Sequence, residues 1–216
     1  GDPDAVMEST GSKLIQSARG ADNFLLEASR QLTYSDGSVR FIGGVKLTVP
    51  EQPERESFVV TGDEASVNEG QSDFEVAGNV RFETVGGLAA STGSARFTNE
   101  RNLIVMHDNS GPTTVTQAGL EASGREVMYD RERELIWLQD DAMVRLLPDA
   151  DRAAVEISSK RAVLAQVDRY MLFEGGAVVH TGEMVLQADE VTAYFGEEET
   201  ALERLELQGR ANVRSS

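Results

Sequence analysis

Phe74-Glu75-Val76-Ala77-Gly78-Asn79-Val80-Arg81-Phe82 is the stretch on which the reading of the chain turns. Its apolar residues fall on alternate positions on either side of a central Gly78-Asn79 pair. Period two sends successive side chains to opposite faces of a strand. Phe74, Val76, Val80 and Phe82 therefore share one face, and Asp73, Glu75, Asn79, Arg81 and Glu83 the other. The phrase returns as Val39-Arg40-Phe41-Ile42-Gly43-Gly44-Val45-Lys46-Leu47 and as Leu205-Glu206-Leu207-Gln208-Gly209-Arg210-Ala211. Counting between anchors gives 35 residues from Val45 to Val80, 34 from Val144 to Val178 and 35 from Val178 to Val213. A fixed period of this size marks stacked supersecondary units. It directs function to a long shared surface rather than to one catalytic pocket.

Six units can be written out: residues 24–29 with 39–49; 58–60 with 73–82; 88–91 with 103–106 and 113–115; 120–123 with 135–147; 155–158 with 170–179; and 184–189 with 202–213. Leu26-Glu27-Ala28-Ser29 and Leu120-Glu121-Ala122-Ser123 open two of them in identical words. The third unit matches poorly. Turn formers separate the strands, as in Ser35-Asp36-Gly37-Ser38 and Asn68-Glu69-Gly70. Short alternating strands at this spacing predict an all-β chain. The best claim to helix is Ala5 to Ala18, and its periodicity is weak. The expected organisation is an N-terminal segment, 1–22, trimmed from an anchor or leader, followed by a single elongated body over 23–216.

In the first unit Val39, Phe41, Val45, Leu47 and Val49 face one way, and Arg40 and Lys46 the other. In the fourth, either Leu135 and Trp137 or Ile136 and Leu138 face inward, and a bulge would reconcile them. The faces in units three and four are open. Stacking joins the apolar rows into a trough. Two readings follow: an ordinary core filled by its own side chains, or two curved sheets partly open around an apolar guest. Only 6% of residues are aromatic. Many apolar positions are small or medium, among them Ala28, Ala77, Ala90, Ala122, Ala142, Ala177 and Ala188, so a lightly filled interior is expected.

Charge narrows the function classes. There are 37 acids against 20 bases, a net charge of −17. That argues against nucleic acid, whose binding rests on basic patches, and against adhesion to an anionic membrane face. The chain has no cysteine, hence no disulfide or thiolate chemistry. No run approaches the ~18 apolar residues of a membrane span. His107 and His180 sit in different units without metal-ligand spacing. No nucleophile elbow or phosphate-binding loop is present. Acid pairs such as Asp140-Asp141 read as turns, and nothing calls for a metal or cofactor. The chain is read as non-enzymatic.

The repeated phrase resembles the OstA-like repeat of lipopolysaccharide transport proteins. Residues 24–147 resemble most the periplasmic domain of the protein C family of that group. The resemblance rests on Phe24-Leu25-Leu26-Glu27-Ala28, the Gly43-Gly44-Val45 turn-back, Phe58-Val59-Val60-Thr61-Gly62-Asp63-Glu64-Ala65, Gly78-Asn79-Val80-Arg81-Phe82 and Gly119-Leu120-Glu121-Ala122-Ser123-Gly124. Residues 153–216 look like further copies. The resemblance implies a twisted open β-jelly roll of stacked strand pairs, located in the periplasm, with lipid A acyl chains held between its sheets. It implies partners too: lipopolysaccharide, an inner-membrane ABC exporter complex, and a protein A-like bridge joined by sheet-edge docking, with head-to-tail self-association. Protein C carries an N-terminal membrane helix, and this sequence shows none; six units are also more than a minimal copy needs, so a protein A-like role or a fused form is open as well.

On this reading the inward, lipid-facing row is Leu26, Phe41, Val45, Leu47, Val60, Phe74, Val76, Val80, Phe82, Leu103, Val105, Trp137, Val144, Leu172, Val178, Leu205 and Leu207. The docking edge is the last strand, through Leu205, Leu207, Gly209, Ala211 and Val213, guarded only by Glu206, Arg210 and Arg214. The rival class is a structural or adhesive β-solenoid with a dry core. A carbohydrate-acting β-helix enzyme would cluster its acids on one face, whereas here they spread over turns and outer rows.

Overall fold

The computed structural model describes residues 2–16, 24–53, 55–68, 73–98, 103–197 and 201–215. Among them every regular element is a strand, and none is a helix able to cross a membrane. Contacts divide the chain into two compact units, 1–110 and 111–216. The boundary falls in the weak third repeat.

The first unit is an antiparallel meander of seven strands: β1 (Met7–Gln16), β2 (Phe24–Thr33), β3 (Val39–Val49), β4 (Phe58–Val67), β5 (Asp73–Thr84), β6 (Ala89–Thr98) and β7 (Leu103–His107). Met7–Gln16 is thus a strand where the sequence offered its best helix candidate. The second unit has β8 (Thr113–Gln117), β9 (Leu120–Gly124), β10 (Glu126–Asp130), β11 (Leu135–Leu146), β12 (Val155–Ala165), β13 (Tyr170–Thr181), β14 (Met184–Phe195), β15 (Leu202–Gln208) and β16 (Asn212–Ser215). There β9 and β10 pair with the two halves of β11, and β15 and β16 with the two halves of β14.

The period has a backbone cause. Gly43-Gly44, Gly78-Asn79, Asp140-Asp141, Gly175-Gly176 and Gly209-Arg210 are pairs of consecutive residues at positive φ. Their first members are spaced 35 residues (43 to 78), 35 (140 to 175) and 34 (175 to 209). Two left-handed residues step out of the ladder together, and the pairing register skips there on β3, β5, β11 and β13. Because the skip is two residues, the strand bends while its inward phase survives. Phe41 and Val45, Val76 and Val80, Leu138 and Ala142, and Phe173 and Ala177 are all buried across their corners.

The corners fold each unit over on itself. Phe58 lies opposite Thr84, and Phe97 opposite Phe74. Thr84 and Phe74 are ten residues apart on β5, about 33 Å along a straight strand. Yet the rings of Phe58 and Phe97 are 5.8 Å apart. In the second unit Gln117 stands opposite Leu120, which pairs with Leu146. Gln166 follows Ala165, which pairs with Leu135 at the far end of the same strand. The Gln166 amide nevertheless donates to Gln117 Oε1 at 2.7 Å. Each unit is therefore an antiparallel sheet creased into two facing layers, an open jelly roll with its apolar rows turned inward.

Candidate functional site: inward rows and terminal strand

In the first unit Leu26, Phe41, Val45, Leu47, Val60, Phe74, Val76, Val80 and Phe82 are all buried on the inward face. Sequence reasoning missed how that space is filled. Phe24 and Phe58 open their strands beyond one side of the corner, and Phe74 and Phe97 lie on the other. Phe24 meets Phe74 at 5.2 Å and Phe58 meets Phe97 at 5.8 Å, so rings from the two layers touch. Phe58 with Phe82 (5.3 Å) and Phe74 with Phe97 (5.0 Å) complete a chain of five rings. Each such burial contributes about 1.5–3 kcal/mol before entropy is counted. The lightly filled interior expected from the composition is not found in this unit.

Three strands face the other way from the expected assignment. On β7 Leu103 and Val105 are half-buried, while Ile104 and Met106 are buried. Register decides this: Ile104 pairs with Phe97 and Met106 with Ala95, both inward, and cross-strand partners share a face. On β11 Trp137 is half-buried and outward, and Ile136 and Leu138 take the interior. Val144 is buried as expected, and the two-residue corner carries its phase back to Leu138 and Ile136. On β13 Leu172 and Val178 are half-buried, with Met171, Phe173, Ala177 and Val179 inside. The slip there is arithmetical. A step of 34 from Val144 lands on Val178, but the corners at Asp140 and Gly175 are 35 apart, so the equivalent residue is Val179.

The outward residues form a row of their own. Met128, Trp137, Val163 and Leu172 stand side by side across β10 to β13. Trp137 and Leu172 lie three residues before their corners, as Arg40 and Glu75 do in the first unit, where the row is Arg40, Ser66, Glu75 and Arg96. Strands apolar on both faces explain why the fourth unit was ambiguous in sequence.

On the terminal strands Leu205 and Leu207 pair with the buried Ala193 and Val191, so they face inward, but they are only half-buried. Gly209 is a corner residue, Ala211 is exposed, and Val213 is 62% exposed opposite Leu186. Among the described residues, β15 and β16 pair only with β14.

Polar side chains clasp the corners. Asn79 donates to Asp63 at 2.8 Å, Arg125 pairs with Asp141 at 2.7 Å and Arg210 with Asp189 at 2.6 Å. The Asp189 carboxylate, through that hydrogen bond and its charge, raises the pKa of Arg210. These pairs are exposed and contribute little. An open polar hollow lies around Tyr34, whose hydroxyl donates to Asp2 at 2.8 Å. His107 is exposed and within 2.9 Å of Asn109. Among the described residues no three His, Asp or Glu side chains are placed to hold a metal ion.

Creased antiparallel sheets with inward apolar rows and an open last strand define an open β-jelly roll. Residues 156–216, from β12 to the C-terminal residue, match the family described as LptA/(LptD N-terminal domain) LPS transport protein. Among solved structures the chain is similar to LptH, the LptA-homologous periplasmic component of the conserved lipopolysaccharide transport device from Pseudomonas aeruginosa. The TM-score is 0.50 at 11% identity, over 60% of this chain and 94% of that one. At that identity the likeness is one of fold. A search of curated proteins finds no match. The family match and the fold together support the OstA-like superfamily resemblance, without singling out protein C within it.

Proposed function

We propose that the chain is a non-enzymatic, periplasmic, lipid-carrying module of lipopolysaccharide export. The observation that carries this reading is the coincidence of the matched segment, 156–216, with strands whose inward rows are apolar and whose last members stay uncovered. An acyl chain gains about 0.8 kcal/mol for each methylene taken out of water, so an apolar row between two separable layers holds it without any reactive group. Lipid would meet the inward row as the register defines it: Val144 with Ile136 and Leu138 rather than Trp137, and Phe173 and Val179 rather than Leu172 and Val178. Leu205 and Leu207 continue that row to the open end.

Docking to like domains would use the free side of β15 and β16, where unpaired backbone groups accept an added strand. The matched family favours a place in the bridge between exporter and outer membrane. The acidic exterior would keep phosphorylated head groups outside. Lipid extraction and mass spectrometry of natively purified protein test the reading: bound lipopolysaccharide is expected, and lipid-free protein that takes up no fluorescent acyl probe overturns it. That negative outcome belongs to a second reading, a structural roll with a dry core, which the ring-filled interior of the first unit favours.

A further inference from the structure

We infer that the guest is held by the second unit alone, residues 111–216, and that the first unit is a closed structural segment sealed by its own phenylalanines. The inference rests on the lipid-carrying reading and adds which part of the chain does the carrying.

The two units share a corner geometry but not a filling. In the first, Phe24–Phe74 and Phe58–Phe97 join the facing layers at 5.2 and 5.8 Å between ring centroids. Phe82–Phe58 and Phe74–Phe97 link those contacts within each layer. Rings at that separation are already in van der Waals contact, which leaves no lane for a hydrocarbon chain. A guest would have to break both bridges and find new places for large buried rings in a close-packed interior.

In the second unit the layer beyond the corners contains no Phe, Tyr or Trp at all, over residues 111–124, 142–159, 177–190 and 211–216. Its buried inward positions are mostly Ala and Val, among them Ala122, Ala142, Val144, Ala177 and Val179, with Leu146 and Ile157 the largest. The inward aromatics of this unit, Tyr129, Phe173 and Phe195, belong to the opposite layer. Aliphatic side chains part more readily than interlocked rings, and the methylenes of a guest replace the contacts they lose. The lips of this layer pair are tied by the part-buried Gln166–Gln117 hydrogen bond, an amide contact that water can replace at small net cost. The half-buried Leu205 and Leu207 continue the inward row to an uncovered end. A ring-free lining, a weak tie and an open end coincide in one unit, and the cross-bracing rings lie in the other.

The test is photo-crosslinking in the full chain with purified lipopolysaccharide as probe. A diazirine analogue of leucine is placed at Leu26 or Leu47 in the first unit and at Val144 or Val179 in the second, and each variant's fold is checked by circular dichroism. Capture several-fold stronger at Val144 and Val179 than at Leu26 and Leu47 is expected. Equal capture in both units overturns the confinement and leaves the carrier function standing. No capture at any of the four positions in folded protein overturns the carrier function itself. A second variant tests the cause. Phe74→Leu with Phe97→Leu removes the bridging rings and keeps the interior apolar. Capture appearing at Leu47 supports the sealing role of the rings, and its continued absence shows that they are not the seal.

Discussion

Gly175 and Gly176 form the corner of β13 and share nearly the same backbone, φ +84° and +86°. A Cβ on Gly176 would meet nothing within 4 Å, whereas one on Gly175 would lie 2.6 Å from Lys160 Cβ. Alanine at either position incurs about 1 kcal/mol or a little more of left-handed strain. Removing glycine from the unfolded chain returns about 0.4–1 kcal/mol. Gly176→Ala should therefore cost about 1 kcal/mol or less. Gly175→Ala adds an overlap that neither backbone can escape without shifting, and overpacking of that kind costs about 1–3 kcal/mol. For a chain of this size 1 kcal/mol moves the midpoint by roughly 2–4 °C. Thermal unfolding followed by circular dichroism should show Gly176→Ala within about 4 °C of the parent. Gly175→Ala should fall at least twice as far. Lys160→Gly in the Gly175→Ala background should recover part of the loss. Equal losses for the two alanines, or a larger one at Gly176, would refute the account of why glycine stands first in four of the five corners, Asp140 being the exception, while the second position accepts Asn79, Asp141 and Arg210.

Phe24→Ala and Phe74→Ala should each cost about 3–5 kcal/mol, and a double-mutant cycle in urea should return a coupling of about 0.5–1.5 kcal/mol for the ring pair. The face assignment on β11 predicts that Trp137→Glu keeps a cooperative transition, whereas Ile136→Glu places a charge in the interior and abolishes it; thermal melts of the two variants decide between this register and its one-residue slip. Because the chain has no cysteine, Gln117→Cys with Gln166→Cys can be bridged selectively by a short bis-maleimide. Bridged protein should lose uptake of a fluorescent fatty acid that the unbridged double variant retains, and unchanged uptake after bridging would show that these lips do not part.

Phe74 to Phe82 gave the strand and the face, because the alternation keeps one phase across Gly78-Asn79; the corner at that pair was not read from it. The same logic read β3 correctly through Phe41 and Val45. It failed on β7, β11 and β13 for two separate reasons. Leu135-Ile136-Trp137-Leu138 and Tyr170-Met171-Leu172-Phe173 are apolar at every position, so alternation carries no phase and only the distance from the corner sets it. The period itself varies between 35 and 34, and one residue is enough to reverse a strand. The ring bridges Phe24–Phe74 and Phe58–Phe97 were beyond reach for another reason: they join residues 50 and 39 positions apart through a crease that no single strand displays.

The central claim is that the inward apolar rows part to hold acyl chains. Native mass spectrometry of gently purified protein mixed with lipopolysaccharide tests it most directly. The account predicts a discrete adduct of lipopolysaccharide mass, lost when Val144 and Val179 are enlarged to Phe and retained in Trp137→Ala. Protein that stays lipid-free under these conditions, or an adduct abolished by Trp137→Ala and indifferent to Val144 and Val179, would contradict it.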